Sequence, residues 1–139
     1  MTPVVVTGRH RPHEVMFLVF SLLIGAAFVA GLKPPGTVEQ LMPAWIHWVW
    51  YGLLLASGCA GVVSFARRDP YRALTLERAA MWGQIVAPLV YAVVLLAYGH
   101  QRVAFVAGFM FAWSAASAWR LWQVNREITA LARASEVTG

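Results

Sequence analysis

The stretch LMPAWIHWVWYGLLLASGCAG, residues 41–61, sets Trp45, His47, Trp48, Trp50 and Tyr51 side by side and then runs on without a charge. Such a cluster is either an aromatic pocket, for a quinone or another cofactor, or the wet edge of a helix in lipid. Tryptophan and tyrosine prefer the membrane–water boundary, because an apolar ring there keeps its N–H or O–H in water. Composition separates the two. Of 139 residues, 60% are hydrophobic and 12% charged, with a mean hydropathy of +0.62. An ordinary soluble domain is roughly 25% charged. So short a chain with so few charges cannot cover a globular surface with solvated side chains, so its apolar excess calls for lipid. The cluster therefore reads as interface anchoring.

Working outward, four stretches approach the length that a hydrocarbon core of about 30 Å demands, roughly 17–25 apolar residues. They are 15–32, 44–65, 79–98 and 103–119, and none contains Asp, Glu, Lys or Arg. The fourth is shortest, with Arg102 and Arg120 placed to snorkel from its two ends. Between the first two lies KPPGTVEQLMP, whose prolines and glycine end a helix. Within it, Thr37 and Gln40 have the spacing of a capping box, which predicts a short interfacial turn. In ARRDPYRALTLER, Asp69 and Pro70 form an N-cap and first-turn pair that predicts a helix running into the third span. Only GHQR, residues 99–102, separates the third and fourth spans, which forces an antiparallel hairpin. No secretory signal is expected, since the first apolar run begins at Val15 and no cleavage site with a hydrophilic domain follows.

With four spans, both ends and the middle loop share one side. That side carries Arg9, Arg11, Arg67, Arg68, Arg72, Arg78, Arg120, Arg126 and Arg133, against Lys33 and Arg102 opposite, and these exhaust the 11 Lys and Arg. The bias places both termini in the cytoplasm, facing an anionic inner leaflet that attracts each basic residue by about 1 kcal/mol. The expected fold is thus an all-α membrane protein: four transmembrane helices as two antiparallel hairpins within 15–122, after a basic arm (1–14) and before a cytoplasmic helical tail (123–139). In that tail Trp122, Ile128 and Leu131 form an apolar side and Arg126, Glu127 and Arg133 a wet one.

On this topology Trp45, Trp48, Trp50, Tyr51 and Tyr98 make the outer belt and Trp82, Trp119 and Trp122 the inner one. His47 falls a turn inside the outer boundary, where an interfacial histidine with a polar neighbour is the plain reading. It lacks metal partners, because His10 and His13 belong to the arm and only His100 shares its side. Cys59, the only cysteine, sits in an apolar run as a small packing residue. Ser21, Ser57, Gln84, Ser114 and Ser117 are the other polar residues in the spans. No mid-membrane carboxylate suits an ion-coupled transporter, Glu14 being only at the boundary. No nucleophile–base pair, carboxylate pair or phosphate loop suggests an enzyme, and no metal or cofactor is expected. Nucleic-acid binding is disfavoured because the arginines are scattered over helix ends. Pro88, four residues after Gln84, clashes with the Gln84 carbonyl and predicts a kink in the third helix; a water-lined bend is the alternative.

Small residues recur every four positions at Ala104, Gly108, Ala112 and Ala116, and at Gly52, Ala56 and Ala60. Such faces let helix backbones approach closely in lipid. They either pack the helices of one chain, the favoured reading for any single face, or join copies into oligomers.

The stretches RPHEVMFLVFSLLIGAAF (11–28), LMPAWIHWVWYGLLLASGCAG (41–61) and FAWSAASAWRLWQVNREI (111–128) resemble small four-span membrane proteins of actinobacterial bacteriophages. Such proteins are considered holins or accessory lysis and membrane proteins. The resemblance implies insertion in a host cytoplasmic membrane, self-association, timed permeabilisation and a lysis-protein partner. It carries no catalytic residues with it. The alternative is a non-lytic scaffold or partner-binding subunit using the arginine-rich inner face.

Overall fold

A computed structural model describes residues 12–34, 36–98 and 103–138. The arm before Pro12, with Arg9, His10 and Arg11, and the 99–102 connection, with His100 and Arg102, lie outside the described residues. Among the described residues every regular element is a helix: α1 Pro12–Val29, α2 Gly36–Leu41, α3 Ala44–Ala66, α4 Pro70–Tyr98 and α5 Ala104–Thr138.

The caps follow local chemistry. Pro12 starts α1, where its missing N–H costs nothing. The apolar run continues to Leu32, yet α1 stops at Val29 because Gly31 turns to a φ of +98°. Leu32 N–H then donates to Ala27 C=O (2.9 Å) and Gly31 N–H to Phe28 C=O (3.1 Å), the double bond of a Schellman closure. Asp69 caps α4 by accepting from Tyr71 N–H through Oδ1 at 3.0 Å. α4 therefore begins at Pro70, well before its apolar stretch at Ala79, and it stays helical through the internal Pro88.

Three helices are long and apolar enough to cross a membrane: Pro12–Val29, Ala44–Ala66 and Pro70–Ala97. The fourth expected span lies within α5. That helix is continuous for 35 residues, about 52 Å at 1.5 Å per residue, but Trp113, Ser114, Ser117 and Arg120 dilute its apolar character.

α1 packs on α3, α3 on α4 and α4 on α5. The tightest approaches use glycines of α1, α3 and α4. A Cβ on Gly25 would lie 2.6 Å from Leu55 N, and one on Gly58 would lie 2.5 Å from Leu22 N. Added to Gly61 or Gly83, it would strike Leu18 or Ser57. The packing face of α3 is therefore Leu54, Ser57, Gly58 and Gly61, rotated from the Gly52, Ala56 and Ala60 row. Gly52 and Ala56 are exposed and Ala60 half-buried. On α5 the whole row of Ala104, Gly108, Ala112 and Ala116 is exposed, with open space around Gly108. Packing within the chain, the favoured reading of these rows, is thus corrected for α5: its buried side is Ala107, Trp113, Ser114, Ser117, Leu121 and Val124.

The aromatic belts need a similar correction. Trp45, Trp48, Trp82, Trp119 and Trp122 are exposed. Trp50 and Tyr51 are instead buried with Phe28, Val38, Met42, Leu54 and Ala87. Phe28 of α1 packs on both rings and Tyr91 of α4 on Trp50, while Val38 of α2 and Met42 just after it belong to the same cluster. The side chain of Tyr98 lies outside the described residues. His47 finds its polar neighbour there, with Nε2 2.7 Å from Val38 O.

Candidate functional site

Polar side chains meet inside the bundle at two levels joined by a cavity. The deeper level is Gln84, 1% exposed. Its Nε2 donates to Ser21 Oγ at 2.9 Å and to Ser57 Oγ at 3.0 Å. Its Oε1 accepts from Trp113 Nε1 at 3.0 Å and from Ser21 Oγ at 3.2 Å. One amide thus ties α1, α3, α4 and α5 together. In an apolar medium each such bond contributes about 0.6 kcal/mol, and up to about 2. Orientation of the amide is fixed by the indole, which only donates. Two flanking bonds secure helix backbones: Trp50 Nε1 to Ala87 O at 2.9 Å and Ser114 Oγ to Ile85 O at 3.0 Å.

The second level lies where α1 begins and α4 enters its apolar stretch. Arg120, 6% exposed, pairs with Glu77, 7% exposed: Nε donates to Glu77 Oε1 at 2.7 Å and NH2 lies 2.6 Å from the same oxygen. Glu14 Oε2 sits 3.4 Å from Arg120 Nε and Glu127 Oε1 3.3 Å from NH1, while Gln123 Oε1 accepts from NH1 at 3.5 Å. Arg120, expected as a snorkelling cytoplasmic base, is thereby corrected to the centre of a buried ionic cluster; removing guanidinium and carboxylate from solvent is sustained by their mutual bonds. Glu77 stands two residues before the apolar stretch of α4. Burial raises its carboxyl above the ordinary 4.5; Arg120 opposes that rise, and Glu127 and Glu14 add to it. The other basic residues, Arg67, Arg68, Arg72, Arg78 and Arg126, are exposed. Arg126 lies over the Trp122 ring at 4.8 Å.

Between the levels is a cavity of about 30 Å³ lined by His13, Glu14, Phe17, Gln84, Ser117 and Arg120 among others. A cavity needs about 10–15 Å³ to admit a water, so this one has room for one. Ser117 is 8% exposed and lines the cavity. On this flank α1 meets α5 through long side chains, Phe17 on Trp113 at 4.5 Å and Glu14 on Arg120, whereas on its other flank it meets the α3 backbone directly.

Both levels are built from residues that sequence reasoning had in hand but did not join. Ser21, Ser57 and Gln84 are the polar exceptions in three apolar stretches, so a shared contact was inferable; Trp113 was missed, having no mark in the sequence beyond its neighbours Ser114 and Ser117. Glu77 was overlooked because the adjacent Arg78 made it look solvated, and Glu14 was read only as a carboxylate at the membrane boundary. Gln84 and Pro88, paired for a kink, are both buried in a helix that continues through the proline, and the Gln84 amide carries the hub. Among the described residues no three His, Cys, Asp or Glu side chains are grouped to hold a metal ion.

No protein-family model, curated protein or solved structure matches this chain.

Proposed function

We propose that the chain is a self-associating, four-span protein of a host cytoplasmic membrane, both termini inside, with a holin-like role in permeabilising that membrane. α5 supplies the fourth crossing. Its low hydropathy comes from Trp113, Ser114 and Arg120, which are turned inward and bonded, while Phe105, Phe109 and Trp119 are exposed. The basic majority around Arg67, Arg68, Arg72 and Arg78 sets the orientation.

The observation that carries self-association is the outward row Ala104, Gly108, Ala112 and Ala116. Helix packing inside the chain already uses Gly25, Gly58, Gly61 and Gly83, so this smooth face is left for another copy. The same row underlies the lytic reading, in which copies accumulate, associate and open lesions beside a lysis partner. A non-lytic scaffold is favoured by a different observation: no sealed-in side-chain N or O among the described residues lacks a partner, so the bundle has few polar groups to spare for lining a pore.

Inducible expression in a bacterial host, with growth and membrane potential followed together, separates the two. Collapse of the potential at a reproducible time supports the holin-like role; harmless accumulation in the membrane supports the scaffold. Gly108→Leu should delay or abolish collapse, and unchanged timing would remove the α5 face from the mechanism. End tags reachable from outside intact cells would overturn the topology.

A further inference from the structure

The acidic cluster, the cavity and the α1–α5 seam have one thing in common: each puts a surplus of acceptors where a donor is missing. Three carboxylates, from α1, α4 and α5, face a single guanidinium. Ser117, 8% exposed, lines the cavity beside them. The groups around Glu77 are Arg120 and Glu127 on α5 and Glu14 on α1, with His13 Nε2 a further 3.9 Å from Glu14 Oε1. On α4 itself Arg78 is exposed, and Arg67 and Arg68 beyond the end of α3 are exposed too. No cation among the described residues therefore cancels the surplus.

We propose that this cluster and its cavity form a proton-binding site, and that the bound proton fastens α1 to α4 and α5. A water in the cavity, held by Ser117 Oγ and the Glu14 carboxylate, gives protons a way in. Hydronium donates its proton to Glu77, leaving a neutral carboxyl and a water. With Glu77 ionised, Arg120 is committed to it at 2.6–2.7 Å, and Glu14 is held less closely, at 3.4 Å, while being repelled by a neighbouring carboxylate. With Glu77 neutral, the guanidinium is released to Glu14 and the repulsion disappears. Deeper in the seam α1 is already held by Phe17 on Trp113 and by Ser21 on Gln84, so that ion pair governs the cavity end of the α1–α5 contact. The raised proton affinity of Glu77 agrees with this assignment.

The test uses the full chain in lipid vesicles. Infrared difference spectra on acidification should show a protonated-carboxyl C=O band with a midpoint above the ordinary glutamate value. Glu77→Gln should abolish the band. Glu14→Gln, by removing a like charge, should lower the midpoint by roughly one pH unit. Ser117→Val, which dries the cavity, should raise it. In a Cys59→Ala background, spin labels at Met16→Cys and Trp122→Cys, both exposed sites, report the seam. Their distance distribution should be narrow below the infrared midpoint and broad above it, and narrow throughout in Glu77→Gln. A wild type without the band, a band that survives Glu77→Gln, or a band removed by sodium or potassium salts would overturn the proposal. If Glu77→Gln does not fold, the Glu14→Gln midpoint decides: a downward shift supports it and no shift overturns it.

Discussion

Trp113 Nε1 donates to Gln84 Oε1 at 3.0 Å, and that bond fixes which way the amide points. With Oε1 turned to the indole, Nε2 faces the hydroxyls of Ser21 and Ser57. Replacing Gln84 with Leu keeps the volume but leaves an indole N–H and the Ser21 hydroxyl unpaired in an apolar interior, while Ser57 keeps its bond to Leu54 C=O at 3.1 Å. Unsatisfied buried groups cost about 1–3 kcal/mol each, tempered in lipid by alternative partners. Gln84→Leu should therefore destabilise the bundle by about 2–4 kcal/mol, and Ser21→Ala by about 1 kcal/mol or less. Reversible denaturant titration in mixed micelles measures both. Equal effects of the two substitutions would show that the amide is no hub.

Glycine positions should split into two groups that sequence spacing alone does not distinguish. Gly25→Ala and Gly58→Ala drive a methyl into the backbone of Leu55 or Leu22, so helices must separate, at a cost of about 1–3 kcal/mol for overpacking. Gly52→Ala and Gly108→Ala meet nothing within 4 Å and should leave the stability of a single chain unchanged or slightly raised. Thermal melts of the four variants in detergent, under monomeric conditions, make the comparison. Loss of stability in Gly108→Ala comparable to that in Gly58→Ala would place α5 differently from the arrangement described.

The membrane character of the chain was legible because it depends on composition and run length, which α1, α3 and α4 satisfy each by itself. The break at Asp69 and Pro70 was legible too, since a cap acts through local backbone chemistry, but the stop at Gly31 was not, because the apolar run continues to Leu32. Which side of a helix faces inward was not. Gly52 and Gly58 have the same identity and lie on one helix; only the arrival of Leu22 from α1 makes one of them essential. Trp50 and Trp48 likewise differ by two positions, and it is Phe28 of α1 with Ala87 and Tyr91 of α4 that cover the first, while the second stays exposed. Arg120 misled for a related reason. At the end of an apolar stretch an arginine looks solvated, unless carboxylates more than forty positions away, such as Glu77, are known to close on it.

Acidification should stabilise the protein in a definite window. Glu77 binds its proton more tightly folded than unfolded, because burial outweighs the pull of Arg120. Below the ordinary value of 4.5 both states carry the proton and the effect vanishes. As pH rises from there through the raised folded value, the native state holds more protons than the unfolded one, so stability falls with pH. Above the folded value the loss is complete and the profile flattens. Glu77→Gln should remove this slope. Denaturation midpoints collected across that range check the sign; a wild-type stability that rises with pH in the same window would contradict it.

Arg120→Met should be among the most damaging single changes in the chain. The substitution keeps much of the side-chain length and leaves Glu77, Glu14 and Glu127 facing one another with no guanidinium. Breaking a buried ion pair by removing one partner costs about 3–5 kcal/mol, and here the remaining charges also repel. Adding Glu77→Gln to Arg120→Met removes the deepest of those charges, so the double variant should recover part of the loss. If the damage came only from lost packing of the arginine stem against α4, the second substitution would restore nothing. The cycle of wild type, two singles and the double, read as unfolding free energies in detergent, therefore separates charge from bulk: a coupling near zero makes Arg120 a spacer, and a large one makes it the counter-ion on which α1, α4 and α5 converge.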